Sequence, residues 1–419
     1  MMTLLMGAKD LSVTGANYLE RIDREALMNQ RLLGLLVAVA LIAIPVDATA
    51  SGPANKSENV KLVKQFSYKG STEVAASGDF VYTGELDGIT QRGEKPGKGG
   101  MHVFDVSGTT PKEISFLHCP GNDNDVEIVK PGLVALGYQR NSCAPLGTGF
   151  MLIDVRDAKN PRIVSNLYLP GGANAHTISP YPGGDYLYVS PGGLRNGAAI
   201  EYIADISNPL KPKIAATFKP NEAGCHDLSF FFAKEKKLAF CSGLGETQIW
   251  DVADPVAPQV VGHIVNPAIE FHHYAVASSD GKLLAIDDEA FAAHECRTTQ
   301  SPFGRVWVYD ISNPAVPLPL GSFAPPRGGD AVGIGNYVGW VASWCLAHLI
   351  AWKPETHILA VPWFTGGMSV LDFGNPSAPK EVAYYQADPS ATYAVTWHRD
   401  RLYASDEYQG LMVFEIRGL

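Results

Sequence analysis

An alternating apolar strand that ends in Asp and runs into a Pro-containing turn recurs along this chain. It reads MHVFDVSGTTP at 101–111, FMLIDVRDAKNP at 150–161, EYIADISNP at 201–209 and TQIWDVADP at 247–255. It returns as VWVYDISNP at 306–314, MSVLDFGNP at 368–376 and, in shortened form, LMVFEI at 411–416. The acidic residues are Asp105, Asp154, Asp205, Asp251, Asp310, Asp372 and Glu415, roughly fifty residues apart, the period of a propeller blade. A repeat of this size cannot bury its apolar faces alone and must stack on copies of itself.

Each copy is followed by a short strand, such as 162–169 or 213–218. An inner strand opening with a polar residue comes next, as in HTISPY (176–181) and HDLSFFF (226–232), then a polar turn and a further strand. Period-two alternation and β-branched or aromatic residues support strands throughout. The unit therefore predicts four antiparallel strands per blade. The last copy stops after its third strand, and VKLVKQF (60–66) reads as a fourth. Pairing these two ends closes a ring without an open edge. The expected fold is an all-β, seven-bladed β-propeller whose N-terminal strand completes the last blade.

The repeats resemble those of LVIVD-repeat propeller proteins of the exported bacterial type. The motif reads MLIDV, YIADI, QIWDV, WVYDI and SVLDF here, and the likeness extends to CPGNDNDV (119–126), AGCHDLSFF (223–231) and CLAHL (345–349). The resemblance implies the fold and an exported location. It implies little chemistry, because function in that family is mostly unassigned.

Export is also legible directly. Arg31 precedes an apolar run from Leu32 to Ile44, Pro45 breaks it, and Ala48-Thr49-Ala50 follows. A basic start, a short apolar core and small residues are the parts of a signal peptide. At about 13 residues the run is too short to span a bilayer comfortably. Residues 1–50 are expected to be an N-terminal extension and signal peptide, with Met28 as start and cleavage after Ala50. Residues 51–419 would be one propeller domain, secreted, periplasmic or at the cell surface, with no membrane span in the mature chain. Disulfides persist in such compartments. The six cysteines fall into sequential pairs, Cys119–Cys143, Cys225–Cys241 and Cys296–Cys345, which is the expected pairing.

The net charge of −10 and the absence of a basic stripe argue against a nucleic-acid partner. Phosphate-loop, G-x-S-x-G, HExxH and CxxC patterns are absent. The segment GNDNDVE (121–127) has carboxylates without the spacing of a calcium loop, which argues against calcium there.

One column carries the candidate chemistry. Aligned at the start of the inner strand, the seven repeats place Glu73, Asp125, His176, His226, His273, His348 and Tyr393 in one position. Inner strands line a propeller's channel, so these side chains are expected around a common axis near one mouth. The four histidines are candidate ligands for a transition metal (Cu, Fe or Zn), a subset of three leaving a position open. The alternative is that each histidine pins blade packing. Glu73, Asp125, Tyr393, Asp288, Glu289 and Asp406 are the second rank at the channel mouth. Two functions follow. One is a binding or scaffold module whose loop-rich channel face recognises a protein, glycan or small ligand. The other is a metal-dependent, oxidoreductase-like enzyme; no catalytic residue is assigned.

Overall fold

The computed structural model describes residues 54–87, 98–192, 200–220, 224–233, 235–290, 304–326 and 345–419. The expected leader within 1–50, and Cys296, lie outside the described residues.

The strands form seven antiparallel sheets. Blade 1 is Ser71–Ser77, Phe80–Glu85, Gly100–Asp105 and Lys112–His118. Blade 2 is Gly121–Lys130, Leu133–Asn141, Gly149–Asp154 and Arg162–Tyr168. Blade 3 is Thr177–Pro180, Tyr186–Ser190, Glu201–Asp205 and Lys213–Phe218. Blade 4 is Asp227–Ala233, Lys236–Gly243, Glu246–Asp251 and Gln259–Ile264. Blade 5 is His272–Ala277, Leu283–Asp288, Val306–Asp310 and Leu318–Phe323. Blade 6 is Ala351–Trp352, Ile358–Pro362, Met368–Asp372 and Lys380–Gln386. Blade 7 is Thr392–His398, Arg401–Asp406 and Gly410–Ile416, completed by Val60–Phe66. The first strands of consecutive blades pack against one another around the ring, and the seventh returns to the first.

The closing strand is as expected. Val60 pairs with Ile416 and Phe66 with Leu411. One feature departs from four strands per blade. Asn55–Lys56 adds a fifth strand to blade 6 by pairing with Gln386 and Tyr385. The N-terminal chain thus stitches the last two blades together, helped by Asn59 Nδ2 donating to Val382 O at 3.0 Å.

The repeated Asp has a local mechanical role. The backbone N–H two residues on donates to its Oδ1 in six copies, from Ser107 to Asp105 (2.9 Å) through Gly374 to Asp372 (2.7 Å). This side-chain turn ends the third strand and starts the reversal into the fourth. Every pairing of third and fourth strands then carries a register break, such as Val103/Phe104 and Val370/Leu371. Such bulges raise local twist, which a blade needs to fan outward from the axis.

Apolar residues fill the spaces between neighbouring blades. Tyr188 and Ile203 of blade 3 pack with Leu228, Ala239 and Trp250 of blade 4. Two disulfides staple strand mouths. Cys119–Cys143 has a Cα separation of 5.5 Å and Cys225–Cys241 one of 5.1 Å.

Blade 1 also buries an ion cluster that sequence periodicity did not single out. His102 is stacked on Tyr68 at a ring separation of 4.0 Å, with Nε2 3.1 Å from Glu85 and Nδ1 2.8 Å from Glu113. Burial disfavours the charged imidazole, but hydrogen bonds to Glu113 and Glu85 outweigh it and raise its pKa above 6.5. A group raised on folding stabilises fully below its unfolded pKa, and that contribution is lost as pH rises through the folded value. The stability gap between wild type and His102→Gln in urea melts is therefore expected to shrink as pH climbs above 6.5. A gap that stays flat or widens would refute the charged-imidazole assignment.

Candidate functional site

The first strand of each blade contributes to one central cavity of about 420 Å³. At one end of it the chain brings all seven column residues together. Glu73, Asp125, His176, His226, His273, His348 and Tyr393 line a single pocket with Thr177, Asp227 and Leu349.

Local backbone irregularity does the aiming. In a regular strand neighbouring side chains point to opposite faces. Glu73, His273 and Tyr393 each sit inside a register break of the first strand, Ser71/Val74, His272/Ala275 and Thr392/Ala394. In blade 2 the break Asp123/Asp125 ends on the column residue itself. His176 and His226 stand one residue ahead of Thr177–Pro180 and Asp227–Ala233. His348 also precedes its strand, and the following Leu349 has φ of +33°. Bulges and pre-strand positions turn side chains toward the axis that a flat strand would leave in the sheet plane's faces.

The imidazoles form a continuous arc. Ring centroids are 4.3 Å apart for His176–His226, 4.6 Å for His226–His273 and 4.2 Å for His273–His348. Tyr393 continues it at 4.4 Å from His348.

In each ring one nitrogen is held by the protein. His226 Nδ1 lies 2.8 Å from Asp227 Oδ2, and His273 Nδ1 lies 3.2 Å from Asp287 Oδ1. His348 Nδ1 donates to Tyr393 O at 2.8 Å, and His176 Nδ1 accepts from Gln139 Nε2 at 3.0 Å. The other nitrogen, Nε2, faces the cluster. His176 and His226 meet Nε2 to Nε2 at 2.8 Å. His273 Nε2 is 3.2 Å from Asp227 and 3.6 Å from Glu289, and His348 Nε2 is 3.8 Å from Glu289.

Burial pushes the His176, His226 and His273 pKa values down to about 3, and puts His348 well below its ordinary value. All four are neutral at neutral pH. A neutral ring whose Nδ1 carries the proton presents a lone pair at Nε2. At His273 and His348 that lone pair looks at carboxylate oxygens, an arrangement a cation relieves, whereas His176, accepting at Nδ1, carries its proton on Nε2 and donates it to His226 Nε2. One ligand atom each from His226, His273 and Glu289 lie within 4.8 Å of one another.

The second-rank residues divide. Glu289 faces His273 and His348. Asp288 and Asp406 do not face the pocket, and this corrects the expectation for both. Asp288 accepts the backbone N–H groups of Glu270, Phe271 and Gly304, and Asp406 those of Ala391, Tyr408 and Gln409. Both are the last residue of a second strand. From there a buried carboxylate gathers the N–H groups of the loops crossing above it, a structural role.

Four contributors escaped the repeat alignment: Asp227, Glu127, Asp287 and Gln139. Asp227 follows His226, and strict alternation turns it away from the axis. It faces inward because His226 is not yet in the strand. Glu127 was findable, since it lies two residues beyond Asp125 on the same strand face. Asp287 and Gln139 come from second strands, whose approach to the axis depends on how blades are set side by side.

No family model matches the chain, and no curated protein matches it. Among solved structures it is similar to the β-propeller domain of Cps50 (Swd1) from Myceliophteria thermophila. The TM-score is 0.57 with 12% sequence identity, over 87% of this chain and 100% of that one. At that identity the likeness concerns the fold alone.

Proposed function

We propose that this chain is an exported binding propeller whose working end is the histidine mouth, and that this mouth holds a transition-metal ion. One observation carries the reading. Three imidazoles, His226, His273 and His348, have Nδ1 held by a carboxylate or carbonyl oxygen and Nε2 turned into the cluster. Metal-binding histidines are oriented in this way, with the outer N–H donated to a carboxylate or carbonyl. A packing role needs only one bond per ring and no convergence of the second nitrogens. Imidazole and carboxylate together suit Zn²⁺, Cu²⁺ or Fe²⁺. His226, His273 and Glu289 are the core of the set, with His176 and His348 at its flanks.

The propeller fold accords with a binding role, since propellers host many recognition functions. Disulfides Cys119–Cys143 and Cys225–Cys241 fit an oxidising compartment. Among the described residues no helix is long and apolar enough to cross a membrane. The partner is a protein, glycan or small ligand that approaches the mouth. A metal-dependent oxidoreductase is the second reading, favoured by the adjoining cavity of about 420 Å³, which has room for a small substrate.

Elemental analysis of purified chain, followed by Zn²⁺ and Cu²⁺ titration of chelator-stripped protein, tests the metal. Near-stoichiometric binding is expected, and it should be lost in His226→Ala and in His273→Ala. A wild type that takes up neither ion, or variants that bind as wild type does, would refute it.

A further inference from the structure

We propose that Glu73, Asp125 and Glu127 form a second cation site, built of oxygen alone and suited to a hard divalent ion of the calcium class. The inference goes beyond the imidazole site and does not rest on it.

The three residues come from two neighbouring blades. Asp125 and Glu127 are two apart on Gly121–Lys130 and so share a face; Glu73 reaches them from Ser71–Ser77. One oxygen from each lies within 4.8 Å of the other two. Three such atoms always leave a point within about 2.8 Å of all of them, and a small closure brings it to calcium–oxygen distance.

A second observation is independent of the clustering. Asp125 is 2% exposed, and its Oδ2 is anchored by the backbone N–H of Ile178. With the Glu73 and Asp125 carboxyls both ionised, its Oδ1 is buried and has no donor; Glu73 hydrogen-bonds Asp125 only while Glu73 keeps its proton. Leaving a buried carboxylate oxygen unsatisfied is costly, and a bound cation supplies what it lacks. No Lys or Arg is found among the described residues lining the histidine pocket or the central cavity. The protein therefore offers these carboxylates no cationic side chain of its own.

Burial and then mutual repulsion push Glu73 and Glu127 well above the ordinary carboxylate range, and burial raises Asp125 to about 7. Only a proton or a metal ion can neutralise them, and the two compete. Carboxylate oxygens with water suit Ca²⁺, Mg²⁺ and Mn²⁺ rather than the softer metals of an imidazole site. The cavity provides space for the waters that complete such a shell. The loop spacing at 121–127 argued against calcium, but the site proposed here uses strand positions from two blades and no loop.

The test uses the full disulfide-bonded chain, chelator-stripped, with Ca²⁺ followed by calorimetry and Tb³⁺ by luminescence. Tyr274 lines the same cavity and serves as the antenna. One site is expected, weakened at least tenfold by Glu127→Gln and by Glu73→Gln and retained in His226→Ala. Cooperative melting of each variant confirms folding, and either Gln variant suffices if the other does not fold. No binding of either ion up to about 10 mM at pH 8, beyond the weak end of the extracellular calcium range, overturns the proposal. So does binding unchanged in the Gln variants, which marks an adventitious ion only. Binding lost in His226→Ala but kept in Glu127→Gln places the ion among the imidazoles and also overturns it. Failure of Zn²⁺ or Cu²⁺ to bind wild type leaves the Ca²⁺ result intact, so the two readings fail separately.

Discussion

A chain that begins at Gly70, and so lacks Val60–Phe66, is expected to lose cooperative folding altogether. Blade 7 would then expose the third strand Gly410–Ile416 along its whole length. Val60 is buried to 1% exposure, and Phe66 packs on Phe104 of blade 1 at 4.7 Å between ring centres. Loss of the strand therefore strips an edge and uncovers the joint between the last and first blades. An open edge beside exposed apolar surface is a template for aggregation. A chain beginning at Asn59 loses only the extra strand Asn55–Lys56 and is expected to stay soluble, with a small drop in melting temperature. Soluble yield and thermal melts of the two truncations decide the matter. A Gly70 start that melts like wild type would mean that the ring is not closed by its N-terminal strand.

Asp227→Asn is expected to weaken Zn²⁺ affinity by about 10- to 100-fold while leaving the fold in place, as loss of a ligand's outer partner does. Asp227 accepts from His226 Nδ1 at 2.8 Å and stands 3.2 Å from His273 Nε2, so it orients one ring and faces the next. The amide keeps the shape and one acceptor oxygen but removes the charge that makes the imidazole a better donor to metal. Asp227→Ala goes further. It leaves a buried N–H of His226 without an acceptor and costs roughly 1–3 kcal/mol of stability. Titration calorimetry on stripped protein and urea melts read the two effects separately. Asn and wild type of equal affinity would remove Asp227 from the metal reading.

Much of the architecture was legible before any coordinate. The acidic end of each repeat's third strand marked a turn, and six such carboxylates do bind the N–H two residues on. The incomplete last repeat and the orphan strand at 60–66 pointed to ring closure. The added strand Asn55–Lys56 was not legible, because two exposed polar residues carry no periodicity. The column from Glu73 to Tyr393 was readable because inner strands occupy the same place in every blade.

Asp288 and Asp406 show where that reasoning stops. Their sequence setting, acidic and at a strand end, is the same as that of a ligand. Only the fold reveals that loop N–H groups surround them. Asp227 shows the converse, being an ordinary acidic residue until His226 and His273 are placed beside it.

Strand periodicity, blade number and the axial position are local or repeated properties, so a linear text of residues carries them in full. Convergence of Nε2 atoms, the register breaks that aim them and the meeting of carboxylates from adjacent blades depend on distances between segments far apart in the chain. Those distances exist only once seven sheets have packed around a common axis, because packing, not pattern, sets how close neighbouring blades approach.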